Sequence, residues 1–453
     1  MSNGPSAILS LDEIGTIVRD VLAEGKAGRG ELVWQMIQPL RNAQPRQRAA
    51  AMALLLIIAE RGLEADAAVE ILSEIEPSHD QDIEILSALG NCLERARDIH
   101  DLNASPPADL VFLNAVKKLD ALAKAYEGRP EQETILQGLS TSARMLARQH
   151  DTIAESSHRE LTKINPQNSE YHYNLGLFYK TRGRFEEGVR ANQTAASLAD
   201  EISEAVEWNL GICATGVGDA ALAFDVWKRM GQNIELGRFG LPEGRYPACK
   251  VRLAQRPLAE RTADLDDPGE EETIWIERLS PCHGIIRSVL YGNLGVDYGD
   301  VILIDGAPIT HHTYGEEQVA VFPHLATLLR RNYRFFDFAG TQEQAGQLLS
   351  ISGELDEDAV VYPHSENVTM LCANCWRDPD IDHSHHEEIE KHVVIGRIAA
   401  PPHIAPAWLL DQIDKGIEKR GQRRLYAPDL CAAAGLMARE RIDRRRFALL
   451  TGN

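Results

Sequence analysis

The sequence predicts an α-solenoid of stacked helical hairpins followed by a separate α+β C-terminal domain. Three observations carry that prediction. One helical-hairpin pattern recurs three times, at spacings of 34 and 35 residues; the composition changes after Gly237; and strand-like runs begin near Ile274. A chain of 453 residues also exceeds one core, because single cores stop growing near about 250–300 residues. The expected divisions are 1–132, an N-terminal helical-repeat region; 133–237, the clear repeats; 238–272, a linker or docking segment; and 273–453, an α+β domain with a Cys/His cluster.

The first part reads as consecutive helices with short breaks. Leu11–Glu24 carries Ile14, Ile17, Val18 and Val21 on one face at helical spacing. Breaks follow at Gly28-Arg29-Gly30, Gln44-Pro45, Gly62, Glu76-Pro77 and Ser105-Pro106-Pro107. The apolar stretch Ala49–Ala59 is flanked by Arg48 and Glu60. It falls well short of the roughly 20 residues a bilayer span needs, so it reads as a buried solenoid helix.

The repeats come next. The middle copy, around Tyr171–Asp200, places Leu175-Gly176, Tyr179, Gly183, Phe185 and Ala195 at fixed offsets. Leu210-Gly211, Gly218, Ala223 and Trp227 match 35 residues on, and Ala154, Leu161 and Pro166 match 34 residues back. This pattern resembles the tetratricopeptide repeat family over about residues 133–236. Gly176 and Gly211 are expected where two helices approach closely, and Gly183 and Gly218 between helices, where a positive φ favours Gly. The resemblance implies a groove that holds a protein or peptide partner. In that family the residue before Leu-Gly commonly faces the groove; here it is Asn174 in one repeat and Asn209 in the next. An Asn amide can both donate to and accept from a peptide backbone.

After Gly237 the residues up to Glu272 include prolines and an acidic run, Asp264–Glu272. Strands are then expected at Ile274–Leu279, Gly284–Leu290, Val301–Ile304, Val319–Phe322, Phe335–Phe338, Val360–Tyr362 and Val393–Ile398. Helices are expected at His324–Asn332, Gln342–Ser350, Pro406–Arg420 and Ala427–Arg439.

Two constellations carry possible chemistry. Cys372-x-x-Cys375 has the spacing by which two thiolates share a tetrahedral Zn²⁺, and His383, His385, His386 and His392 supply imidazoles nearby. A structural zinc site is one reading of that cluster; a polar His-rich loop is the other. Cys282-His283 suggests a nucleophile, although adjacent strand residues point to opposite faces. His364 sits at an expected strand end. An enzymatic alternative would use Cys282, His283 and His364 on a substrate recruited by the repeats. The glycines of Gly292–Asp300 lack the strand–GxGxxG–helix context of a dinucleotide site.

The formal charge of −21 argues against wholesale phosphate-backbone binding and against an anionic membrane surface. The locally basic C-terminus, Lys419 to Arg446, leaves a nucleic-acid-linked regulator as a third reading, opposed by that charge. Seven scattered cysteines do not form a disulfide framework, and no targeting signal opens the chain. A scaffold or adaptor in the cytoplasm is therefore the leading expectation.

Overall fold

The computed structural model describes residues 107–314, 317–342, 346–355, 358–372, 388–419 and 424–452. The helices expected before Pro107 lie outside the described residues. Seven helices open the described chain: α1 (Pro107–Ala125), α2 (Glu131–Arg144), α3 (Asp151–Ile164), α4 (Ser169–Thr181), α5 (Phe185–Leu198), α6 (Glu204–Val217) and α7 (Ala220–Arg229).

From α2 onward they pair as hairpins, α2/α3, α4/α5 and α6/α7, with the offsets the sequence implied. A Cβ on Gly176 would meet the Asn192 side chain at 2.4 Å, and one on Gly211 would meet the Trp227 ring at 2.5 Å. Only hydrogen fits at those crossings, so the two helices of each hairpin approach as the glycine pattern requires. Gly183 and Gly218 take φ values of +71 and +77 between the paired helices. The interior is apolar: Phe178, Trp227, Ala154 and Ala195 are fully buried. Hydrogen bonds tie successive hairpins together. The Tyr171 hydroxyl donates to Glu133 Oε1 at 2.7 Å and accepts from Gln137 Nε2 at 2.5 Å. These are helical hairpins of tetratricopeptide-like design.

The rest is β-rich. A small antiparallel pair, β1 (Ile234–Leu236) and β2 (Pro242–Gly244), follows α7. Strands β3 (Cys249–Ala254), β4 (Glu271–Arg278), β5 (His283–Ile286) and β6 (Val301–Ile304) pair antiparallel in sequence order. β7 (Thr310–Tyr314) and β8 (Glu317–Leu329) form a hairpin with Thr310 opposite Val321. A second sheet has the order β10-β11-β9-β12, from β9 (Arg334–Gln342), β10 (Val360–Cys372), β11 (Glu388–Ala400) and β12 (Arg424–Tyr426). Helices α8 (Pro406–Lys419), α9 (Pro428–Ala433) and α10 (Met437–Thr451) accompany it. Its core gathers Phe338, Val361, Val394, Ile398, Leu409 and Ile413.

Three expectations are corrected. His324–Asn332 is not a helix: β8 runs to Leu329. The Ala427–Arg439 helix is two helices, broken at Gly435 with φ +77. A boundary at 272/273 cuts through β4, whose partner β3 lies inside the segment expected to be a linker. The chain instead resolves into two interleaved compact units. One takes the described chain up to Gly244 together with Arg256–Pro268 and Asp305–Leu325; the other takes Arg245–Gln255, Gly269–Ile304 and the chain from Ala326 onward.

Candidate functional site

In the helical unit, the first helices of successive hairpins present Tyr173 on α4 and Trp208 on α6, 35 positions apart and so equivalent in the repeat. A segment far along the chain lies against Trp208. Lys180 Nζ, one turn-pair beyond Tyr173, reaches Asp305 Oδ1 at 3.0 Å and Oδ2 at 2.8 Å. Both side chains are largely buried, with 7% and 14% exposure. The next residue, Gly306, lies so close to the Trp208 indole that a Cβ there would stand 2.9 Å from the ring. The Tyr173 phenol is pushed above its usual range, first by burial and then by the Asp305 charge, with Arg144 opposing. Asp305 Oδ1 also accepts from the Ala307 amide at 3.3 Å, which folds its carboxylate into a local turn.

A second irregular segment is held in the same unit. The Arg148 amide donates to Asp266 Oδ2 at 2.9 Å, and Arg148 Nε donates to Asp266 Oδ1 at 3.1 Å. Arg148 Nη2 donates to the Leu258 carbonyl at 2.5 Å and Nη1 to the Arg182 carbonyl at 3.2 Å. Gly183, in the α4–α5 turn, has Ala259 Cα where its own Cβ would go, at 2.2 Å. The positive φ of Gly183 and this close approach demand the same residue. The helices thus grip later chain with a basic side chain on each Asp, a guanidinium on a carbonyl of the short 3₁₀ turn Leu258–Glu260, and glycine-enabled close contacts.

Asn209 is buried beside the Tyr173 phenol, and its amide nitrogen makes no well-formed hydrogen bond. Asn174 is half-buried. The residues that meet the Asp305–Gly306 segment are Lys180 and Trp208, the latter the chain neighbour of Asn209. An aromatic repeating at 35 residues, Tyr173 and Trp208, was the signal in the sequence that marked this face.

Cys282 and His283 are fully buried. Ser280 Oγ accepts both of their backbone amides at 3.1 Å and hydrogen-bonds His283 Nδ1 at 2.6 Å. Burial lowers the His283 pKa to about 4, so the ring is neutral, and its Nε2 has no partner. Both residues lie in a closed turn that leads into β5, with the thiol enclosed. His364 is the residue at the register shift between Pro363 and Ser365 in the edge strand β10, a β-bulge. Its Nε2 bonds the Val289 carbonyl at 2.8 Å and its ring stacks on Tyr291 at 4.3 Å. His364, on β10, thus lies on a different element from the Cys282-His283 turn.

Cys372 ends β10 and pairs with Glu388; His392 on β11 pairs with Val368. Cys375, His383, His385 and His386 lie outside the described residues. Among the described residues no group of three or more His, Cys, Asp or Glu side chains is placed to hold a metal ion. Two basic residues of α10 are met by carboxylates: Arg439 is bidentate on Asp414, and Arg444 bonds Glu440 and Asp429. Among the described residues no helix is long and apolar enough to cross a membrane.

No protein-family model and no curated protein matches the chain. A solved structure described as "MamA RS-1 ArsTM double mutant" is similar over 46% of this chain and 95% of its own, at 18% identity and a TM-score of 0.28. The hairpin assignment rests on the helices of this chain rather than on that likeness.

Proposed function

We propose that this protein is an interaction scaffold whose helical hairpins hold irregular, acidic segments of protein chain against the first helices of successive repeats. The observation that supports this is the grip on Asp305-Gly306: a buried lysine takes the carboxylate, and a tryptophan takes the backbone that follows. Every part of that grip recognises features common to peptides: a carboxylate, a carbonyl and an exposed glycine backbone. Nothing in it requires the partner to be helical. The chain's own segment is then the internal example of what the surface accepts, and a partner of the same chemistry is an acidic, turn-bearing peptide segment. Placing Tyr173 and Trp208 at equivalent repeat positions extends the surface along the array, so several hairpins contribute to one contact.

The test is affinity capture with the full chain, followed by crosslinking and mass spectrometry of the captured partner. Crosslinks to α4 and α6, with capture lost in a folded Tyr173→Ala/Trp208→Ala variant, are expected. Undiminished capture by that variant would overturn the reading.

A further inference from the structure

The turn between β6 and β7 occupies the helical surface to which a partner has just been assigned. Its two ends are tied to β8: the Asp305 amide meets the Pro323 carbonyl at 3.4 Å, and the Ile309 amide meets the Val321 carbonyl at 2.8 Å. Between those ties Ala307 and Pro308 are exposed. Asp305 and Gly306 instead face α4 and α6, through Lys180 and Trp208.

The receiving half is built by the helices alone. The Trp208 ring packs edge-on against Trp227 at 5.2 Å, and its Nε1 donates to Glu204 Oε1 at 3.4 Å. The indole is therefore held in place whether or not the turn lies on it. Lys180 stands in the last turn of α4, where a cation complements the helix dipole. The turn supplies the matching half. Asp305 is the acceptor for the Lys180 ammonium among the described residues. Gly306 lies outside the left-handed region, so its own backbone would tolerate a side chain. What excludes one is the indole, 2.9 Å from where a Cβ would stand. The glycine thus answers to Trp208 and not to the geometry of the turn.

This contact can open without stranding a charge. Deleting one member of a buried pair leaves the other unsolvated, whereas swinging the turn away returns both to water. A competing segment with a carboxylate and a following glycine would replace each contact one for one.

We propose that the Asp305-Gly306 turn is an autoinhibitory occupant of the surface formed by Lys180 and Trp208, displaced by a partner peptide that carries its own Asp-Gly. The proposal rests on the reading of the helices as a peptide-holding surface, and adds how that surface is regulated and which two residues a partner must present. Because the turn is tethered, it competes at an effective concentration of roughly millimolar. A partner's apparent affinity is lowered by the fraction of molecules in which the turn is withdrawn.

Fluorescence anisotropy of a labelled peptide with the sequence of residues 304–310, IDGAPIT, titrated with the full chain, tests this. Binding about tenfold tighter or more is expected for Asp305→Ala/Gly306→Ala than for the parent, since that variant loses the carboxylate and forces a Cβ onto the indole. Adding Trp208→Ala should abolish the gain, and the peptide IDAAPIT should not bind the released variant. Gly306→Ala alone keeps the ion pair and should show a smaller gain in the same direction, so it decides the matter if the double variant loosens the fold. Equal binding by the parent and a folded released variant would overturn the autoinhibition while leaving the helices a peptide site. No saturable binding by either would overturn the peptide-holding reading with it.

Discussion

The ion pair between Lys180 and Asp305 gives the most direct check on how the helical unit holds its distant segment. Replacing Lys180 by Met leaves the Asp305 carboxylate in a place with only 14% exposure. It keeps the weak bond from the Ala307 amide at 3.3 Å and loses its cation. Breaking one partner of a buried pair costs about 3–5 kcal/mol, because the survivor is charged and unsolvated. At about 1.4 kcal/mol per factor of ten, that is roughly two to four decades in the opening equilibrium of the segment. Amide hydrogen exchange across Asp305–Leu325 reads it directly, with exchange at α2 and α3 as an internal reference. Asp305→Asn should produce a smaller loss in the same amides, since Lys180 is then the unpaired member. The double variant Lys180→Met/Asp305→Asn should recover most of the protection, because no buried charge remains. Single variants within about 0.5 kcal/mol of the parent, or a double variant equal to the sum of the singles, would refute the account.

Two further expectations follow from buried and clustered side chains. His158 is fully enclosed, and burial, followed by the charges of Arg144 and Arg182, lowers its pKa to about 3. The unfolded chain, near 6.5, then binds the proton more readily, so this contribution is complete above about pH 6.5 and erodes below it by up to about 1.4 kcal/mol per pH unit. Urea denaturation between pH 7.5 and 5.5 should show that slope reduced in His158→Phe; an unchanged slope would locate it elsewhere, with His283 the next candidate of the same sign. For the cysteine pair, protein purified without chelator should carry zinc bound by Cys372, Cys375 and two of His383, His385, His386 and His392, and should lose it in Cys375→Ser and as pH falls through the histidine range. Elemental analysis showing no metal in the parent would leave that cluster a polar loop.

The helical hairpins were legible because their residue types answer local demands. Gly176 and Gly211 mark crossings and Gly183 marks a left-handed turn, and each demand recurs at the repeat spacing. Val301–Ile304 was also legible, an apolar run that stops at an Asp-Gly turn. Where tertiary pairing overrides local preference, the sequence misleads. Leu325–Leu329 has the composition of a helix, yet it extends a strand whose earlier residues pair with β7. The grip on Asp305 was out of reach for another reason: Lys180 and Asp305 stand 125 positions apart, and no local pattern couples them. Cys282-His283 drew notice as a reactive pair because a sequence does not display burial.

The division of the chain has a consequence for its synthesis. The path passes between the two compact units at 244/245, 255/256, 268/269, 304/305 and 325/326, five passages in all. A domain made of contiguous sequence can finish folding as soon as its last residue leaves the ribosome. Here the helices emerge first, but their unit is incomplete until Leu325 has been made. Until residues 305 and 306 have been made, Lys180 lacks its carboxylate and Trp208 its glycine backbone. For the time needed to translate that stretch, the nascent protein carries an open receiving surface, and that is the interval in which a chaperone or a partner competes with the protein's own later residues.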